Sequence, residues 1–433
     1  SFFVSAKVYD VYRETTAKPE PADEEHLVLS VTLYRLLSGI LGFAPPWGVL
    51  YGVRPAKLMH RLCAQMGDDA AVAHFQTAFL TQKSKAELAH EVMLHENRSI
   101  ARSGPKSFSL YVSIPFCPTR CAYCSFVSHS IEKTHKLMTP YVDLLLRELE
   151  ETSKYAKELG LELATVYFGG GTPTTLSAQD LGRIFTTIEQ NFDLSHLMEY
   201  TVEAGRPDTV TRERLEVIRA AGVQRISINP QSFNDKVLEA IGRRHTAQQT
   251  LDAFALARDC GFDHINMDFI AGLPEDDLPS FQRSIQTALD LQAESITVHT
   301  LALKTSAYMV TREQTFDLKD RLTVSNMVDY AGQTLHGAGY YPYYMYRQSK
   351  SLGNLENVGW CKPGYDCLYN VYMMDETHTV LAVGAGAVTK LRGQNSGMIE
   401  RIYNYKYPYE YIRDFDTLLE RKKRIPGFYA EYD

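Results

Sequence analysis

Three closely spaced cysteines constrain this chain more than any other feature of its sequence. They are Cys117, Cys121 and Cys124, at Cys-x-x-x-Cys-x-x-Cys spacing. The apolar run Leu110–Ile114 predicts a strand just before them, and Pro118 blocks an early helix, so we expect one loop curled around a single metal centre. Four thiolates normally hold a 4Fe–4S cluster, and three would leave one iron open to another ligand. With His129 the same cysteines also fit a Cys3His zinc site, and spacing alone leaves both interpretations open.

The middle of the chain alternates strand patterns with amphipathic helix patterns. The predicted strands are Leu110–Ile114, Thr165–Phe168, Glu199–Glu203, Arg225–Asn229, Ile265–Ile270 and Ser295–Thr300. Helical patterns separate them near 140–158, 178–190, 211–221, 246–259 and 277–290. This alternation predicts right-handed βαβ units and a parallel sheet, and six units fall short of a closed eight-stranded barrel. We therefore expect an α/β fold built on a partial, open (β/α)6 barrel.

The segments on either side of this core predict accessory regions. A strand-like piece at Phe2–Tyr12 and a polar linker come first, and then helical patterns at Glu24–Leu41, Pro55–Ala64, Ala70–Leu80 and Lys85–Asn97. Ser103-Gly-Pro105 is typical of a boundary between domains. We predict a mainly helical N-terminal region at 1–105, the barrel at 106–305, and an α+β C-terminal extension at 306–433 that covers the substrate.

The composition excludes several classes of function. The 433 residues carry a net charge of −7, so no basic excess is there to neutralise phosphates, and we expect no nucleic-acid partner. The most apolar run, Leu27–Leu41, is short for a membrane span and contains Arg35, so it predicts a buried helix and no span. Seven unevenly spread cysteines suit a reducing compartment. We therefore expect a cytoplasmic protein with a metal site and no disulfide.

Glycines and polar residues follow the predicted strands at the edge where α/β folds bind ligands. Gly170, Gly171 and Thr172 come after the second strand, and consecutive glycines let main-chain groups approach a ligand closely. Glu203 ends the third strand. Two roles are open for its carboxylate: an acceptor for ribose or ammonium groups, or one partner of an ordinary ion pair. Further candidates are Gln231, Arg243, Asp268 and Ala271. The arginine suits a carboxylate because it can donate two parallel hydrogen bonds. We expect His299 to be a hydrogen-bonded core residue rather than a proton donor.

The sequence resembles the oxygen-independent coproporphyrinogen III dehydrogenase family of radical S-adenosylmethionine (SAM) enzymes. The resemblance rests on the cysteine loop, Gly-Gly-Gly-Thr-Pro-Thr at 169–174, Glu203, Gln231 with Arg243, and Asp268 before Gly-Leu-Pro. It implies that the three cysteines ligate a 4Fe–4S cluster whose open iron binds SAM. The residues implied to contact SAM are Tyr111, Tyr123, Gly170, Gly171, Thr172, Glu203, Gln231, Arg243, Asp268 and Ala271.

Other segments resemble the HemZ branch of this family. They are Trp47–Lys57, Val202–Asp208, Ser227–Ser232 and Leu352–Gly359. The resemblance implies an oxidoreductase of haem biosynthesis, in which an electron from the reduced cluster cleaves SAM to a 5′-deoxyadenosyl radical. The radical would take a hydrogen atom from a propionate of coproporphyrinogen III, and loss of CO2 with one more electron would give a vinyl group of protoporphyrinogen IX. An anaerobic setting and an electron donor such as flavodoxin or ferredoxin are implied as well.

Two other tetrapyrrole functions stay open. The established dehydrogenases have a fourth cysteine two residues after the third, but this chain has Phe126 there, like the haem-chaperone branch. A haem-binding trafficking chaperone and a methyltransferase that opens haem are therefore alternatives.

Several segments outside the cysteine loop are candidates for contact with the substrate. Tyr340–Gln348 predicts a packed seam or one wall of a macrocycle pocket. Trp47–Lys57 predicts a packing segment or a contact with an acidic substrate, and Val383–Lys390 is small enough to pass close to the cluster end of the barrel. Candidate partners of substrate carboxylates are Arg347, Lys350 and Lys390.

Overall fold

The computed structural model of the chain describes residues 2–8, 10–19, 24–50, 52–124, 128–302 and 318–433. Three features singled out in the sequence lie outside the described residues: Phe126, the boundary between 305 and 306, and the part of the linker at 20–23. Across the described ranges, no helix is both long enough and apolar enough to cross a bilayer.

The N-terminal region is a β-hairpin followed by four helices within the described residues. Its elements are β1 (Phe2–Val8), β2 (Val11–Ala17), α1 (Glu25–Leu41), α2 (Pro55–Met66), α3 (Asp68–Thr77) and α4 (Lys83–Ile100). The single strand-like piece predicted over Phe2–Tyr12 is wrong in extent. The chain reverses after Val8, and the two strands pair antiparallel from Phe2 with Ala17 to Val8 with Val11.

The middle of the chain forms the predicted barrel. Its elements are β3 (Ser107–Ile114), β4 (Phe116–Cys117), β5 (His129–Ser130), α5 (Ile131–Glu158), β6 (Glu162–Gly170), α6 (Ala178–Asn191), β7 (Glu199–Glu203), α7 (Arg212–Ala220), β8 (Arg225–Ser227), α8 (Asp235–Ala240), α9 (Ala247–Asp259), β9 (His264–Ala271), α10 (Leu278–Asp290) and β10 (Ser295–Thr300). The strands β3, β6, β7, β8, β9 and β10 lie side by side and parallel, which confirms the predicted α/β fold with six βα units. β4 pairs with β5, so the segments before and after the cysteine loop lie side by side.

The C-terminal region extends both edges of the same sheet. Its elements are α11 (Leu318–Gly337), β11 (Tyr341–Arg347), β12 (Glu356–Cys361), α12 (Leu368–Asp375), β13 (Thr379–Val383), β14 (Val388–Arg392), β15 (Ile399–Tyr403), α13 (Pro408–Arg413), α14 (Phe415–Lys422) and α15 (Arg424–Tyr432). β12 pairs antiparallel with β10, and β11 pairs antiparallel with β12. At the opposite edge β13 runs parallel to β3, and β14 and β15 continue antiparallel. The described sheet therefore has eleven strands, and both outer strands of the barrel, β3 and β10, are paired with strands of the C-terminal region.

Local sequence explains where the barrel helices begin. Side chains that accept a main-chain N–H of the first turn cap five of them: Ser177, Thr211, Asn234, Thr246 and Asp277. Such caps satisfy main-chain donors that the helix itself leaves unpaired. α5 begins at Ile131, earlier than the predicted start near 140, because the helix continues through Pro140.

A buried ion pair fastens the C-terminal region to the barrel. Lys422 Nζ lies 2.7 Å from Glu148 Oε1, and neither side chain is exposed. The Glu148 carboxylate also accepts hydrogen bonds from the Gly384 main chain, the Asn404 amide and the Tyr411 hydroxyl, at 2.7, 2.8 and 2.6 Å. This carboxylate therefore joins α5, α14 and the turn between β13 and β14.

The turn between β13 and β14 packs against the end of β3. A Cβ atom at Gly384 would lie 2.5 Å from both the Ser113 carbonyl oxygen and the Tyr141 hydroxyl, so the turn has no room for a side chain. The Ser113 hydroxyl donates to the Ala385 carbonyl oxygen at 2.8 Å. The segment Val383–Lys390 thus passes beside the strand that leads into the cysteines.

Replacing Lys422 tests the buried ion pair. Lys422→Met leaves the Glu148 carboxylate buried without its cation, so we expect the free energy of unfolding to fall by about 3–5 kcal/mol. Urea denaturation followed by circular dichroism measures this loss. Lys423→Met is the matched control, because Lys423 is exposed and pairs with the exposed Glu420 at 2.6 Å, so solvent screens the pair and its loss has little effect on stability. Equal losses in the two variants would contradict the assignment.

Glu96, on α4, makes stability depend on pH. Burial, and then the charge of Asp375, raises the pKa of Glu96 from 4.5 to about 8. The folded protein therefore keeps a proton that the unfolded chain loses as the pH rises from 4.5 to 8, and wild-type stability falls across this window. Because a glutamine cannot ionise, we expect Glu96→Gln to be more stable than wild type by an amount that is small at pH 5 and reaches a few kcal/mol at pH 8. Urea denaturation at both pH values measures this difference in stability. Glu87→Gln is the matched control, because it replaces an exposed carboxylate on the same helix.

Candidate active site

The carboxyl ends of the six parallel strands and the cysteine loop enclose a cavity of about 380 Å³. Twelve of the thirteen predicted site residues line it. They are Tyr111, Cys117, Cys121, Tyr123, Cys124, Gly170, Gly171, Thr172, Glu203, Gln231, Arg243 and Asp268. The thirteenth, Ala271, is fully buried in β9 beside Thr300, and its neighbour Ile270 lines the cavity. Parallel strands bring these side chains together because their carboxyl ends meet at one edge of the sheet.

Main-chain hydrogen bonds join the cysteine loop to the glycine segment that follows β6. The N–H of Gly171 donates to the Ile114 carbonyl oxygen, and the N–H of Thr172 donates to that of Phe116, both at 2.7 Å. The Cys117 sulfur lies 3.4 Å from the Thr172 hydroxyl oxygen. The first thiol is thereby fixed relative to the glycine segment.

This close approach depends on two glycines. Gly170 has a φ of +102°, a conformation that residues with a side chain rarely adopt, and a Cβ there would lie 2.8 Å from the Ser113 hydroxyl oxygen. A Cβ at Gly171 would lie 2.6 Å from the Phe116 carbonyl oxygen. A side chain at either position would push the two segments apart.

The three thiols are too widely spread to share one zinc ion. Two thiolates on a tetrahedral zinc stand roughly 3.8 Å apart, as follows from Zn–S bonds of about 2.3 Å. In the described part of the chain, neither the three cysteines nor any two of them with His129 bring all their ligand atoms within 4.8 Å of one another. A 4Fe–4S cluster takes each thiolate on a separate iron and so accepts ligands that stand further apart. The described sulfur positions therefore do not form a compact zinc site, and the assignment of these thiols to a cluster stays a prediction.

Buried polar atoms without partners line the same cavity. Among the described residues, Asn229 Oδ1, Gln231 Oε1 and Arg243 Nε have no hydrogen-bond partner. The Arg243 guanidinium is otherwise held, because its terminal nitrogens donate to the Asn229 carbonyl oxygen and, at 3.3 Å, to the Tyr123 hydroxyl. Gln231 adopts a φ of +66°, a strained conformation of the kind found at ligand sites. Because buried polar groups are normally satisfied, these atoms indicate a polar ligand.

Two carboxylates, one at the end of β7 and one within β9, have pKa values shifted in opposite directions. Burial raises the pKa of Glu203 to about 7, although the Tyr167 hydroxyl donates a 2.6 Å hydrogen bond to it. Burial also acts on Asp268, but His299 at 3.9 Å and the Asn266 amide, which donates at 2.8 Å, hold the pKa of Asp268 below its ordinary value. Asp268 is therefore an ionised acceptor at neutral pH, whereas Glu203 exchanges a proton near pH 7.

Arg206 is a site residue that sequence reasoning missed. Its buried guanidinium donates twice to the Asp208 carboxylate, at 2.9 and 2.8 Å. The remaining nitrogen donates to the Thr119 hydroxyl at 3.1 Å and approaches the Cys121 sulfur at 3.8 Å. The residue lies inside the segment Val202–Asp208, but no spacing rule shows that it reaches a cysteine 85 residues earlier.

The tyrosines of β11 divide between the core and the cavity. Tyr344 and Tyr346 line the cavity with stacked rings whose centroids are 6.3 Å apart, whereas Tyr343 is fully buried. The Tyr346 hydroxyl lies 3.1 Å from His299 Nδ1. His299 is thus hydrogen-bonded and also forms part of the cavity wall. Tyr343 is thus a packing residue, whereas Tyr344 and Tyr346 form part of the cavity wall, and a macrocycle against that wall stays a prediction.

The predicted carboxylate partners Arg347, Lys350 and Lys390 do not line the cavity. Arg347 is buried over the Trp47 ring, 5.2 Å from its centroid, and Lys390 donates to the Met373 carbonyl oxygen at 3.2 Å. Trp47 itself donates a buried 2.6 Å hydrogen bond to Glu356. Trp47 is therefore a packing residue, and no described residue of Trp47–Lys57 lines this cavity. The contact of this segment with an acidic substrate stays a prediction.

Comparisons with known proteins agree with this geometry. The radical SAM superfamily matches residues 111–288, from β3 into α10, so the barrel is a radical SAM domain. The chain is 36% identical over 398 residues to the oxygen-independent coproporphyrinogen-III oxidase-like protein HemZ of Bacillus subtilis, with coverage of 91% of this chain and 79% of the relative. It is 31% identical over 318 residues to the haem chaperone HemW of the same organism, with coverage of 71% and 79%.

A solved structure supports the same grouping at the level of the fold. Coproporphyrinogen III oxidase (HemN) from Escherichia coli, a radical SAM enzyme, matches with a TM-score of 0.56 and 22% identity, over 75% of this chain and 72% of that one. The chain therefore belongs to the HemN- and HemW-like family of radical SAM proteins, with the sequence pattern of its HemZ branch.

Adding a methyl group at Gly171 tests the contact between the two loops. We expect Gly171→Ala to lower the iron and sulfide content after anaerobic reconstitution several-fold, because the new Cβ would separate the glycine segment from the cysteine loop. Gly182→Ala, within α6, is the control. A Cβ there would lie 3.7 Å from a Val217 methyl group, an ordinary contact, and alanine favours the helix by about 1 kcal/mol. Wild-type cluster content in Gly171→Ala would show that the close approach is not needed.

Proposed function

We propose that this protein is a radical SAM enzyme that converts propionate side chains of coproporphyrinogen III to the vinyl groups of protoporphyrinogen IX. The observation that supports it most is one cavity that is lined both by the three thiols and by the partnerless polar atoms of Asn229, Gln231 and Arg243. The 36% identity to a HemZ protein over 91% of the chain favours this substrate class.

The described residues suit both groups of the radical SAM reaction. Cys117, Cys121 and Cys124 would ligate a 4Fe–4S cluster and leave one iron for the amino and carboxylate groups of SAM. Main-chain groups of Gly170, Gly171 and Thr172 suit the methionyl end of SAM, and Arg243 with Gln231 suits its carboxylate. Ribose acceptors would be Glu203 and Asp268, and the adenine would lie between Tyr123 and the rim at Ile270 and Ala271. When bound, the cluster and SAM supply a 5′-deoxyadenosyl radical that takes a hydrogen atom from an unactivated carbon.

The far wall of the cavity suits a flat substrate. The stacked rings of Tyr344 and Tyr346 offer an aromatic face, and neutral polar side chains such as Asn357 and Asn370 surround it. Each conversion would pass one hydrogen atom of a propionate to the 5′-deoxyadenosyl radical and one electron to an external one-electron acceptor, and it would release CO2, which leaves the vinyl group. The task of these residues is to hold the reacting carbon and to exclude water. A reduced flavodoxin or ferredoxin in the cytoplasm is the kind of electron donor that we propose.

A haem chaperone is the second candidate function. The 31% identity to HemW over 71% of the chain favours it, as does Phe126 at the position of the fourth cysteine. In that case the aromatic wall would hold haem, and SAM cleavage would not depend on a decarboxylated substrate.

Product analysis separates these candidates. Reconstituted protein is incubated anaerobically with SAM, a reductant and coproporphyrinogen III, and mass spectrometry follows the loss of two molecules of CO2. We expect decarboxylated product with matching 5′-deoxyadenosine, and we expect neither product nor cluster absorbance in Cys121→Ala. Cys260→Ala is the control, because this half-buried thiol at the end of α9 does not line the cavity.

The other outcomes are equally informative. Formation of 5′-deoxyadenosine without a decarboxylated product would contradict the dehydrogenase. Stable stoichiometric haem binding without substrate-dependent SAM cleavage would select the chaperone. Methylated, ring-opened haem would select the methyltransferase.

A further inference from the structure

A second group of metal-ligating side chains lies in the N-terminal helices, outside the cavity wall. Cys63 is near the end of α2, Asp68 begins α3, and His90 lies within α4. Their thiol sulfur, carboxylate oxygen and ring nitrogen lie within 4.8 Å of one another, and no other trio of His, Cys, Asp or Glu in the described residues is as compact. The group is therefore set apart by chemistry and by geometry.

The turn between α2 and α3 places two of these side chains together. Gly67, with a φ of +86°, ends α2 and donates to the Cys63 carbonyl oxygen at 2.9 Å, and α3 starts at the next residue. Cys63 and Asp68 thereby face the same side of the corner. α4 packs against both helices and brings His90 to this point.

The His90 ring is placed like a metal ligand and not like a hydrogen-bond donor. Its buried Nε2 lies 3.1 Å from Asp68 Oδ2, yet the angle does not make a hydrogen bond, and Nε2 has no other partner among the described residues. Nitrogen and oxygen ligands on a tetrahedral zinc stand roughly 3.3 Å apart, as follows from bonds of about 2.0–2.1 Å. The observed separation is close to that value.

The Cys63 thiol is half-buried, and its sulfur lies within ligand distance of the Asp68 carboxylate. A divalent cation that binds here would take the thiolate form of Cys63, release the thiol proton, and neutralise both the thiolate and the carboxylate. The same cation would also bind Nε2 of His90, which has no other partner among the described residues.

We propose that Cys63, Asp68 and His90 bind one zinc ion, with water as the fourth ligand. One sulfur, one nitrogen and one oxygen ligand within tetrahedral reach match the preferences of zinc. The Asp68 side chain is 55% exposed, so solvent can reach the fourth position. The ion would join α2, α3 and α4, and the proposal depends on no step of the proposed radical reaction.

Zinc analysis of the full chain tests the proposal. The protein is first reconstituted with its cluster so that the thiols of the cysteine loop are occupied, then equilibrated with Zn²⁺ and dialysed. We expect about one zinc per chain with a single sulfur neighbour in the X-ray absorption spectrum. Cys63→Ser and His90→Ala should each lower retained zinc at least several-fold, whereas Cys260→Ser, which removes another half-buried thiol, should retain it.

Two further readouts keep the result unambiguous. The iron and sulfide content should be the same in all variants, so a failure of the cluster assignment would not be mistaken for a failure of the zinc assignment. Zn²⁺ should raise the melting temperature of the wild type but not that of Asp68→Asn, which keeps the shape of the side chain. Absence of retained zinc in the wild type, or zinc retained equally in Cys63→Ser and His90→Ala, would overturn the proposal.

Discussion

The site depends on two main-chain hydrogen bonds between the end of β3 and the segment after β6. They join Gly171 to Ile114 and Thr172 to Phe116, and they form only because no side chain stands between the two segments. The cysteine loop starts directly after this contact, so the position of the first thiol is set by backbone and not by flexible side chains. The turn at Gly384 braces the other side of β3, and the buried Glu148 carboxylate holds that turn in place.

Two buried lysines of the scaffold are paired with carboxylates. Lys85 lies between Glu356 and Asp329, at 2.6 and 2.8 Å, and Lys422 pairs with Glu148. Uncompensated burial of such groups would cost several kcal/mol each, which explains why the partners are present. Partnerless buried atoms are not confined to the cavity, since Tyr343, Asn404 and Asp276 also carry them among the described residues. The cavity differs because three such atoms, of Asn229, Gln231 and Arg243, line one space beside the cysteine loop, which suits a polar ligand.

The strands of the barrel and the residues that line its cavity could largely be predicted from the sequence, because both depend on the order of strand and helix patterns along the chain. Six strand patterns alternate with helical ones, which predicts a parallel sheet. In such a sheet Glu203 and Asp268 face the same edge, whatever sequence lies between their strands. Contacts between distant segments do not follow in this way. The reach of Arg206 to Cys121, the burial of Arg347 over Trp47, and the reversal of the chain after Val8 all depend on tertiary packing that no short window of sequence contains.

The pairing of strands also sets the order in which the protein can be completed. β3 acquires its outer neighbour only when β13 at Thr379–Val383 arrives, and β10 acquires its own only when β12 at Glu356–Cys361 arrives. On the ribosome, the six parallel strands therefore emerge with unpaired main-chain groups along two sides, which are templates for contact with other chains. The stage of synthesis in which these two edges are exposed therefore ends only when β12 and β13 pair with the barrel.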